Sequence, residues 1–560
     1  MSPKGNEGIA YELVNQLILQ GVDYFCLAPG LRLTPFAVAI DAHPKAHLFT
    51  HFDERGVAFH ALGYAKASGK PAAIVVTSGS ALGNLYPAVM EASYAQVPLI
   101  LLTSDRPPEM REVKANQTCD QVKFFGRHVR FTFDLPSAHA EFPPRFLATL
   151  VAQAVYRAKE SGNSGPVQLN CPFPEPFLAH VPEGVATETP CIYEETKTTV
   201  SREGLARIAA LLQKSRKGAI VVGTMPSGVD LTPLIQLAEK LRWPLLGDIT
   251  SGLRSLGSPF PCIRYWQRLI VEDQGFAPEC ILHLGDQCVF KKLFQWRNKA
   301  TSLVQVSLHA EPWDPSFQLT HRVICDPLSF CKELPAFVEE EKETAWIDLW
   351  LASAERVDQL MQAEFCQEEA LSEIGLFRAL MDSPHALFVA NSMPIRDADR
   401  FFFPEKSTPP IFASRGLSGI DGNIATCAGI ASQQPLVAII GDLAALHDLN
   451  SLAMLKKSTH PLTLIVINNG GGGIFAFTAA HQKEKVREEI LAGSHSYTFE
   501  QAAALFGIDY VCAKRKEELL PFLGKTALIE LFTSREENFA LHKALEEKIS
   551  EALDQSCSLR

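Results

Sequence analysis

The feature that most limits the fold of this chain is an alternation of short β-branched runs with helical patterns. Clear examples are "AAIVV" at 72–76, "GAIVV" at 218–222 and "PLVAII" at 435–440, each followed by a segment with helical spacing. Short apolar runs that alternate with helices are typical of parallel sheets with helices on both faces. The sequence therefore predicts an α/β protein built from doubly wound parallel sheets.

The alternation falls into three blocks, which we predict to be domains at residues 1–182, 198–336 and 347–560. A polar stretch, "EGVATETPCIYEETKTTVSREG", lies between the first two blocks and suits an interdomain linker. A second stretch, "FVEEEKETAW" at 337–346, is either a charged helical connector or another linker. Several domains are expected for 560 residues, because a single core rarely grows beyond about 250–300 residues.

Composition excludes several classes of partner. The net charge of −11 argues against a general nucleic-acid surface or an anionic-membrane surface, so an anionic substrate needs a local cluster of Arg and Lys. The apolar runs are too short to span a bilayer, and the N-terminal sequence has no signal-peptide core. The 13 cysteines form no CxxC pair, which indicates reduced thiols in a cytoplasmic protein.

The most informative turn is Gly441-Asp442, which follows the run "PLVAII" and opens "GDLAALHDLN". Gly-Asp pairs also occur at 247–248 and 285–286, and an Asp at such a turn often only caps a helix. Asp442 differs because Asn469 follows 27 positions later, at the end of the run "LTLIVINN" and before four glycines. The carboxyl ends of adjacent parallel strands face one crevice, so these two side chains should lie together.

A carboxylate, an amide oxygen and a backbone carbonyl are ligands suited to Mg²⁺. A cation bound there would bridge to a diphosphate, which explains an acidic residue at a turn that otherwise favours phosphate. The glycines at 470–473 allow the backbone to approach a ligand closely.

Gly441-Asp442, the spacing and Asn469 resemble the thiamine-diphosphate motif of the pyruvate-oxidase and decarboxylase-like superfamily, which implies the thiamine-diphosphate-binding fold. The resemblance implies thiamine diphosphate and Mg²⁺ (or Mn²⁺) as cofactors, with Asp442, Asn469 and the Gly471 carbonyl as metal ligands. It also implies an activating glutamate in the first block. Glu54 in "THFDERG" is the candidate, although a Glu in a first helical turn also stabilises the helix dipole.

Further strings narrow the resemblance to one family. "APGLRLTP", "LLTSDRPPE", "ANQT", "NSMPIRDAD" and "SRGLSGIDG" together resemble the 2-succinyl-5-enolpyruvyl-6-hydroxy-3-cyclohexene-1-carboxylate synthase family of menaquinone biosynthesis. That family decarboxylates 2-oxoglutarate on the cofactor and adds the resulting carbanion equivalent to isochorismate. The expected partners are therefore these two small molecules and a second copy of the chain, in a homodimer or a dimer of dimers with the active site at the subunit interface.

The resemblance also implies the residues that bind the two dicarboxylic substrates. Arginine presents a planar fork that suits carboxylates, and the matching strings contain four of them. The implied substrate residues are Arg32, Arg106, Gln117, Lys291 (or the adjacent Lys292), Asn391, Arg396 and Arg415. The implied cofactor contacts, besides those named above, are Ser392 near the diphosphate, Ile420 as an apolar wedge, and Ile474 and Phe475 beside the thiazolium.

Several positions depart from the family pattern. Leu31 and Leu33 flank Arg32 where serines are usual, Ser414 replaces an Asn, and Leu417 replaces a small residue. These departures leave the implied metal and cofactor residues unchanged. They are expected to affect how the substrates are bound. Two alternatives stay open: another thiamine-diphosphate-dependent 2-oxoacid decarboxylase or carboligase, and a non-catalytic scaffold of the same fold.

Overall fold

The structure is a computed structural model that describes residues 5–138, 143, 145–181, 188–194, 196–257, 259–272, 275–311, 314–366 and 370–557. The described strands form three sheets, and every recorded strand pair is parallel, which confirms the predicted α/β class. The chain divides into two compact units. The first comprises residues 1–196, 414–436 and 444–462, and the second comprises 197–413, 437–443 and 463–560.

The first sheet has the strand order β2-β1-β3-β4-β6-β5. Its strands are β1 Tyr24–Leu27, β2 His47–Thr50, β3 Ala72–Val76, β4 Leu99–Asp105, β5 Phe131–Asp134 and β6 Val167–Pro172. The helices of this block are α1 Gly5–Leu19, α2 Thr34–Ala42, α3 Glu54–Ser68, α4 Ser80–Asn84, α5 Tyr86–Tyr94 and α6 Phe146–Lys159. The inner strands β3 and β4 are buried along their whole length, as expected for a parallel sheet.

The second sheet has the order β11-β10-β9-β7-β8. Its strands are β7 Gly218–Val222, β8 Leu245–Gly247, β9 Cys280–Leu284, β10 Ser302–Ser307 and β11 His321–Ile324. The helices around it are α7 Arg202–Gln213, α8 Thr232–Leu241, α9 Trp266–Glu272, α10 Leu293–Arg297 and α11 Pro327–Glu333.

The third sheet has the order β13-β12-β14-β15-β17-β16. Its strands are β12 Ala386–Val389, β13 Ile411–Phe412, β14 Leu436–Gly441, β15 Leu462–Asn468, β16 Asp509–Ala513 and β17 Ala527–Phe532. The helices are α12 Ala345–Phe365, α13 Glu373–Ala379, α14 Met393–Phe401, α15 Asn423–Ile430, α16 Asp442–His447, α17 Glu500–Leu505, α18 Lys516–Leu519 and α19 Arg535–Cys557. The central strands β14 and β15 are almost wholly buried.

Most of the stretch at 337–346 is neither helix nor strand. A 3-10 turn, Leu334–Phe337, is followed by residues 338–344 without helix or strand, and α12 begins at Ala345. The boundary placed at residue 347 therefore falls within the first turn of α12. The three domain boundaries remain predictions.

Within the first unit, helix α3 packs against α15 with their backbones in contact. A Cβ added to Gly63 would lie 2.0 Å from the carbonyl oxygen of Thr426, and one added to Gly429 would lie 2.0 Å from that of His60. Only glycine permits so close an approach. This contact fixes the helix that begins with Glu54.

None of the helices in the described ranges combines the length and the apolar character needed to cross a membrane.

Candidate active site

The predicted crevice lies at the carboxyl edge of the third sheet. Strands β12, β14 and β15 are neighbours there, and each leads directly into predicted site residues. Asn391 and Ser392 follow β12, Gly441-Asp442 follows β14, and Asn469 follows β15. The structure thus places Asp442 and Asn469 at the same edge of the sheet, as their spacing in the sequence predicts, and places Asn391 and Ser392 at that edge as well.

Asp442 begins α16 and is buried, with two backbone amides directed at its carboxylate. The N–H of Leu443 donates to Oδ1 at 2.7 Å, and the N–H of Gly471 donates to Oδ2 at 2.9 Å. His495 Nε2 lies 3.4 Å from Oδ2. Burial raises the pKa of Asp442, whereas the amide hydrogen bonds and His495 oppose that rise.

The two asparagines at the end of β15 are held by two different buried glutamates. Asn468 Nδ2 donates to Glu530 Oε1 at 2.6 Å, and its Oδ1 accepts the N–H of Gly470 at 3.2 Å. Asn469 Nδ2 donates to Glu373 Oε1 at 3.0 Å. Its Oδ1 is buried and has no hydrogen-bond partner in the described part of the chain.

Glu373 is itself a perturbed acid. It is 1% exposed, and burial together with the charge of Asp397 raises its pKa to about 7, against the effect of hydrogen bonds from Asn469 and Thr533. Asp397 in turn lies 3.1 Å from Nε2 of the buried His542. A polar cluster therefore lies beneath the end of β15.

The glycine loop adopts backbone conformations that disfavour other residues. Gly470 and Gly471 have φ values of +71° and +141°. A Cβ on Gly471 would lie 2.6 Å from the carbonyl oxygen of Ala492, and one on Gly473 would lie 3.0 Å from Asn469 Nδ2. Ile474 and Phe475 follow in a short 3-10 helix, Gly473–Phe477, and are partly buried.

These residues fit a divalent cation. An unpartnered buried amide oxygen on Asn469 is costly unless a cation or water fills its coordination. No group of three or more His, Cys, Asp or Glu in the described ranges is arranged to hold a metal ion. Such a cluster is not required here, because Mg²⁺ is bound through one or two carboxylates together with phosphate oxygens.

Ser392 and Arg396 lie at the start of α14. Ser392 has a φ of +76°, which is rare outside glycine, and its carbonyl oxygen accepts a hydrogen bond from Arg396 Nη1. Asn391 is 4% exposed. The strained turn at Ser392 therefore lies directly after β12, at the same sheet edge as Asp442 and Asn469.

Glu54 is the first residue of α3 in the first unit. Asp53 caps this helix by accepting the N–H of Arg55 at 2.9 Å, and Asn450 Nδ2 donates to the other oxygen of Asp53 at 2.6 Å. Asn84 Nδ2 donates to Glu54 Oε2 at 3.3 Å. The carboxyl group of Glu54 is thus held at a defined helix start.

Three predicted substrate residues cluster in the first unit. Arg106 Nη1 donates to Ser78 Oγ and to the carbonyl oxygen of Gln117, while Gln117 Nε2 donates to the carbonyl oxygen of Ser78. Burial and the positive charge of Arg32 both lower the pKa of Arg106. Both arginine residues are buried, at 6% and 8% exposure.

Arg32 already has a carboxylate partner. Its Nη1 donates to the carbonyl oxygen of Phe173 at 2.8 Å, and its Nη2 donates to Glu175 Oε1 at 2.7 Å. The guanidinium carbon lies 5.1 Å from the centre of the Phe177 ring. The sequence strings gave no indication of Glu175.

The remaining predicted residues lie elsewhere. Arg415 is in the first unit, beside the loop whose Gly416 N–H donates to Glu91 at 2.8 Å, and Ile420 is 37% exposed on the same loop. Lys291 and Lys292 are both exposed and directly precede α10 in the second unit. No described contact joins these lysines to the other predicted site residues.

Sequence reasoning missed three residues around Asp442 and the glycine loop, namely Glu373, His495 and Arg535, and in the first unit it missed Glu175, the partner of Arg32. Arg535 Nη2 lies 2.7 Å from Glu488 Oε2, and its Nη1 lies 2.9 Å from the position that a Cβ on Gly471 would occupy. A signal for these residues in the sequence is hard to find, because each meets its partner across many residues of chain.

Comparison with known proteins identifies three matching domain families. They are the N-terminal TPP binding domain of thiamine pyrophosphate enzymes at residues 8–124, the middle domain at 177–389 and the C-terminal TPP binding domain at 396–534.

Curated relatives match over nearly the full length. The chain is 39% identical to a 2-succinyl-5-enolpyruvyl-6-hydroxy-3-cyclohexene-1-carboxylate synthase of Rubrobacter xylanophilus, over 97% of this chain and 98% of the relative. Proteins of the same name in Salinibacter ruber and Chloroflexus aurantiacus are 36% and 35% identical, each over 97% of this chain and 96% of the relative.

Proposed function

The chain belongs to the 2-succinyl-5-enolpyruvyl-6-hydroxy-3-cyclohexene-1-carboxylate synthase family, and on that premise we propose which residues carry the reaction. The enzyme is a thiamine-diphosphate-dependent transferase of menaquinone biosynthesis. It decarboxylates 2-oxoglutarate and joins the remaining four-carbon unit to isochorismate by 1,4-addition, with release of CO₂.

Glu54 is the proposed catalytic acid. Thiamine diphosphate, when bound, supplies the carbon nucleophile and accepts the electrons released with CO₂. The Glu54 carboxyl holds a proton toward a ring nitrogen of the aminopyrimidine, which is the group that must change tautomer. This proposal is supported by the position of Glu54 at the capped start of α3, where Asn84 donates a hydrogen bond to one of its carboxyl oxygens.

Asp442, Asn469 and the Gly471 carbonyl are the proposed ligands of Mg²⁺ or Mn²⁺. The single observation that carries this proposal is that the Oδ1 atom of Asn469 is buried without a hydrogen-bond partner among the described residues. Asn469 follows β15, and β15 is the neighbour of β14, the strand that leads into Asp442. A cation there offsets the charge of the carboxylate and favours a diphosphate at the same edge. Gly441, Ser392, Ile420, Ile474 and Phe475 are the further proposed cofactor contacts.

Buried cations support the proposal for dicarboxylic substrates. Arg106 donates a hydrogen bond to the Gln117 carbonyl, and the charge of Arg32 acts on Arg106. A hydrogen bond to a charged group contributes roughly 1.5–3 kcal/mol. We assign Lys291, Asn391, Arg396 and Arg415 to the substrates as well, on the family strings alone.

The two halves of the proposed site lie in different compact units of the chain. Glu54, Arg32 and Arg106 belong to the first unit, whereas Asp442 and Asn469 belong to the second. We therefore propose a homodimer or a dimer of dimers, in which one subunit supplies Glu54 and its partner supplies the metal ligands. We also propose a cytoplasmic location.

The test is an assay that contains 2-oxoglutarate, isochorismate, thiamine diphosphate and Mg²⁺, with each omitted in turn. Product formation should require all four components. Faster consumption of pyruvate than of 2-oxoglutarate would instead support another decarboxylase or carboligase. Binding of thiamine diphosphate without turnover of either 2-oxoacid would support the scaffold alternative.

A further inference from the structure

We propose that Glu373 is a positioning residue that orients the amide of Asn469, so that its oxygen rather than its nitrogen faces the divalent cation. This inference rests on the proposed function, in which Asn469 is a metal ligand. Glu373 lies 96 positions from Asn469 along the chain and belongs to no motif of the sequence.

The hydrogen bonds of Glu373 fix the direction of the amide. Glu373 Oε1 accepts from Asn469 Nδ2 at 3.0 Å and from Thr533 Oγ1 at 2.9 Å. A carboxylate oxygen that receives two donors requires the NH₂ end of the asparagine. The oxygen of the same amide must then point the other way, and this is the atom that is buried without a partner.

The neighbouring asparagine provides an internal comparison. Asn468 is held in the same manner by Glu530, yet its Oδ1 is satisfied by the N–H of Gly470. Asn468 is therefore a closed structural pair. Asn469 has the same arrangement on its nitrogen side and an open oxygen on the other, which is what a metal ligand needs.

Glu373 is suited to hold this geometry because it cannot move freely. It is 1% exposed and is the first residue of α13. The preceding residue, Ser372, caps this helix by accepting a hydrogen bond from the N–H of Gly375 at 2.9 Å. Partners that orient a metal ligand commonly contribute about 10- to 100-fold to metal affinity. We expect an effect of this size.

The experiment measures Mn²⁺ binding by electron paramagnetic resonance, on the full-length protein with saturating thiamine diphosphate. The variant E373M removes the acceptor and is expected to weaken Mn²⁺ binding about 10- to 100-fold. The variant E373Q keeps one acceptor oxygen and should bind Mn²⁺ nearly as tightly as the parent. T533V removes the other donor of the same oxygen and should also leave the affinity close to the parent value.

Two controls separate the failure of this inference from the failure of the proposed site. D442A should abolish Mn²⁺ binding, and if it does not, the proposed metal site is wrong. If D442A abolishes binding while folded E373M retains parent affinity, Glu373 does not orient Asn469. Circular dichroism establishes folding, and E373A replaces E373M, with the same expected loss, if E373M is unfolded.

Equal losses in E373M and E373Q would also overturn the inference. Such a result would show that the negative charge of Glu373, rather than the direction of the amide, controls metal affinity.

Discussion

Replacing Glu175 by Gln is expected to strengthen the binding of a carboxylate substrate to Arg32. In the structure Arg32 Nη2 donates a hydrogen bond to Glu175 Oε1 at 2.7 Å, so a substrate carboxylate must compete with the carboxylate of Glu175. The variant removes this negative charge and leaves an amide oxygen as a weaker acceptor. Arg32 itself stays in place through the Phe173 carbonyl and the Phe177 ring.

The magnitude follows from the exposure of the pair. The Arg32 side chain is only 7% exposed, but Glu175 is 61% exposed, so water screens its end of the interaction. Ion pairs that are open to solvent contribute about 0.2–1 kcal/mol. At about 1.4 kcal/mol per tenfold, the substrate that binds Arg32 should show a KM about 1.4- to 5-fold lower.

The assay is steady-state kinetics with 2-oxoglutarate and isochorismate varied separately. E175Q should lower the KM of one substrate and leave kcat near the parent value. D41N, which removes an exposed carboxylate from α2, controls for the change in net charge and should alter neither constant. A higher KM in E175Q would refute the reasoning, because it would mean that Glu175 holds Arg32 in position rather than competing for it.

Three further variants test other parts of the structure. E54Q should lower turnover by about 10²- to 10⁴-fold while thiamine diphosphate still binds, as measured by initial rates and a cofactor titration. G471A places a Cβ 2.6 Å from a backbone carbonyl oxygen at a φ of +141°, and this strain should cost about 1–3 kcal/mol of folding stability and weaken Mn²⁺ binding. G63A places a Cβ 2.0 Å from the Thr426 carbonyl and should lower the thermal unfolding midpoint, by an overpacking cost of about 1–3 kcal/mol, whereas G83A meets no atom within 4 Å and serves as its control.

Local sequence patterns were sufficient to predict the main strands and the pair Asp442 and Asn469. Strands such as β14 and β15 are continuous apolar runs, because both faces of a central parallel strand are buried. The rule that adjacent strands end at one edge then places both side chains together. No knowledge of distant contacts is needed for that inference.

Edge strands and long-range partners could not be predicted in this way. The edge strand β13 is only two residues long. The inner strand β17 contains the buried Glu530 in the middle of "ALIELF", which interrupts its apolar run. Glu530 is tolerated there because Asn468, Tyr510 and the N–H of Phe499 all donate to it. Likewise, Glu175 meets Arg32 across 143 positions, so only the packed fold reveals the pair.

The two leucines beside Arg32 differ in their structural roles, although the sequence alone does not distinguish them. Leu33 is 3% exposed and belongs to the hydrophobic core that also contains Phe36 and Phe173, so it serves packing. Leu31 is 72% exposed and is the leucine that presents an apolar side chain to solvent next to Arg32 in the chain. The Arg32 guanidinium only donates hydrogen bonds, and its acceptors in the structure are the Phe173 carbonyl and Glu175. Any change in substrate handling at this loop is therefore expected from Leu31 together with Glu175, and not from Leu33.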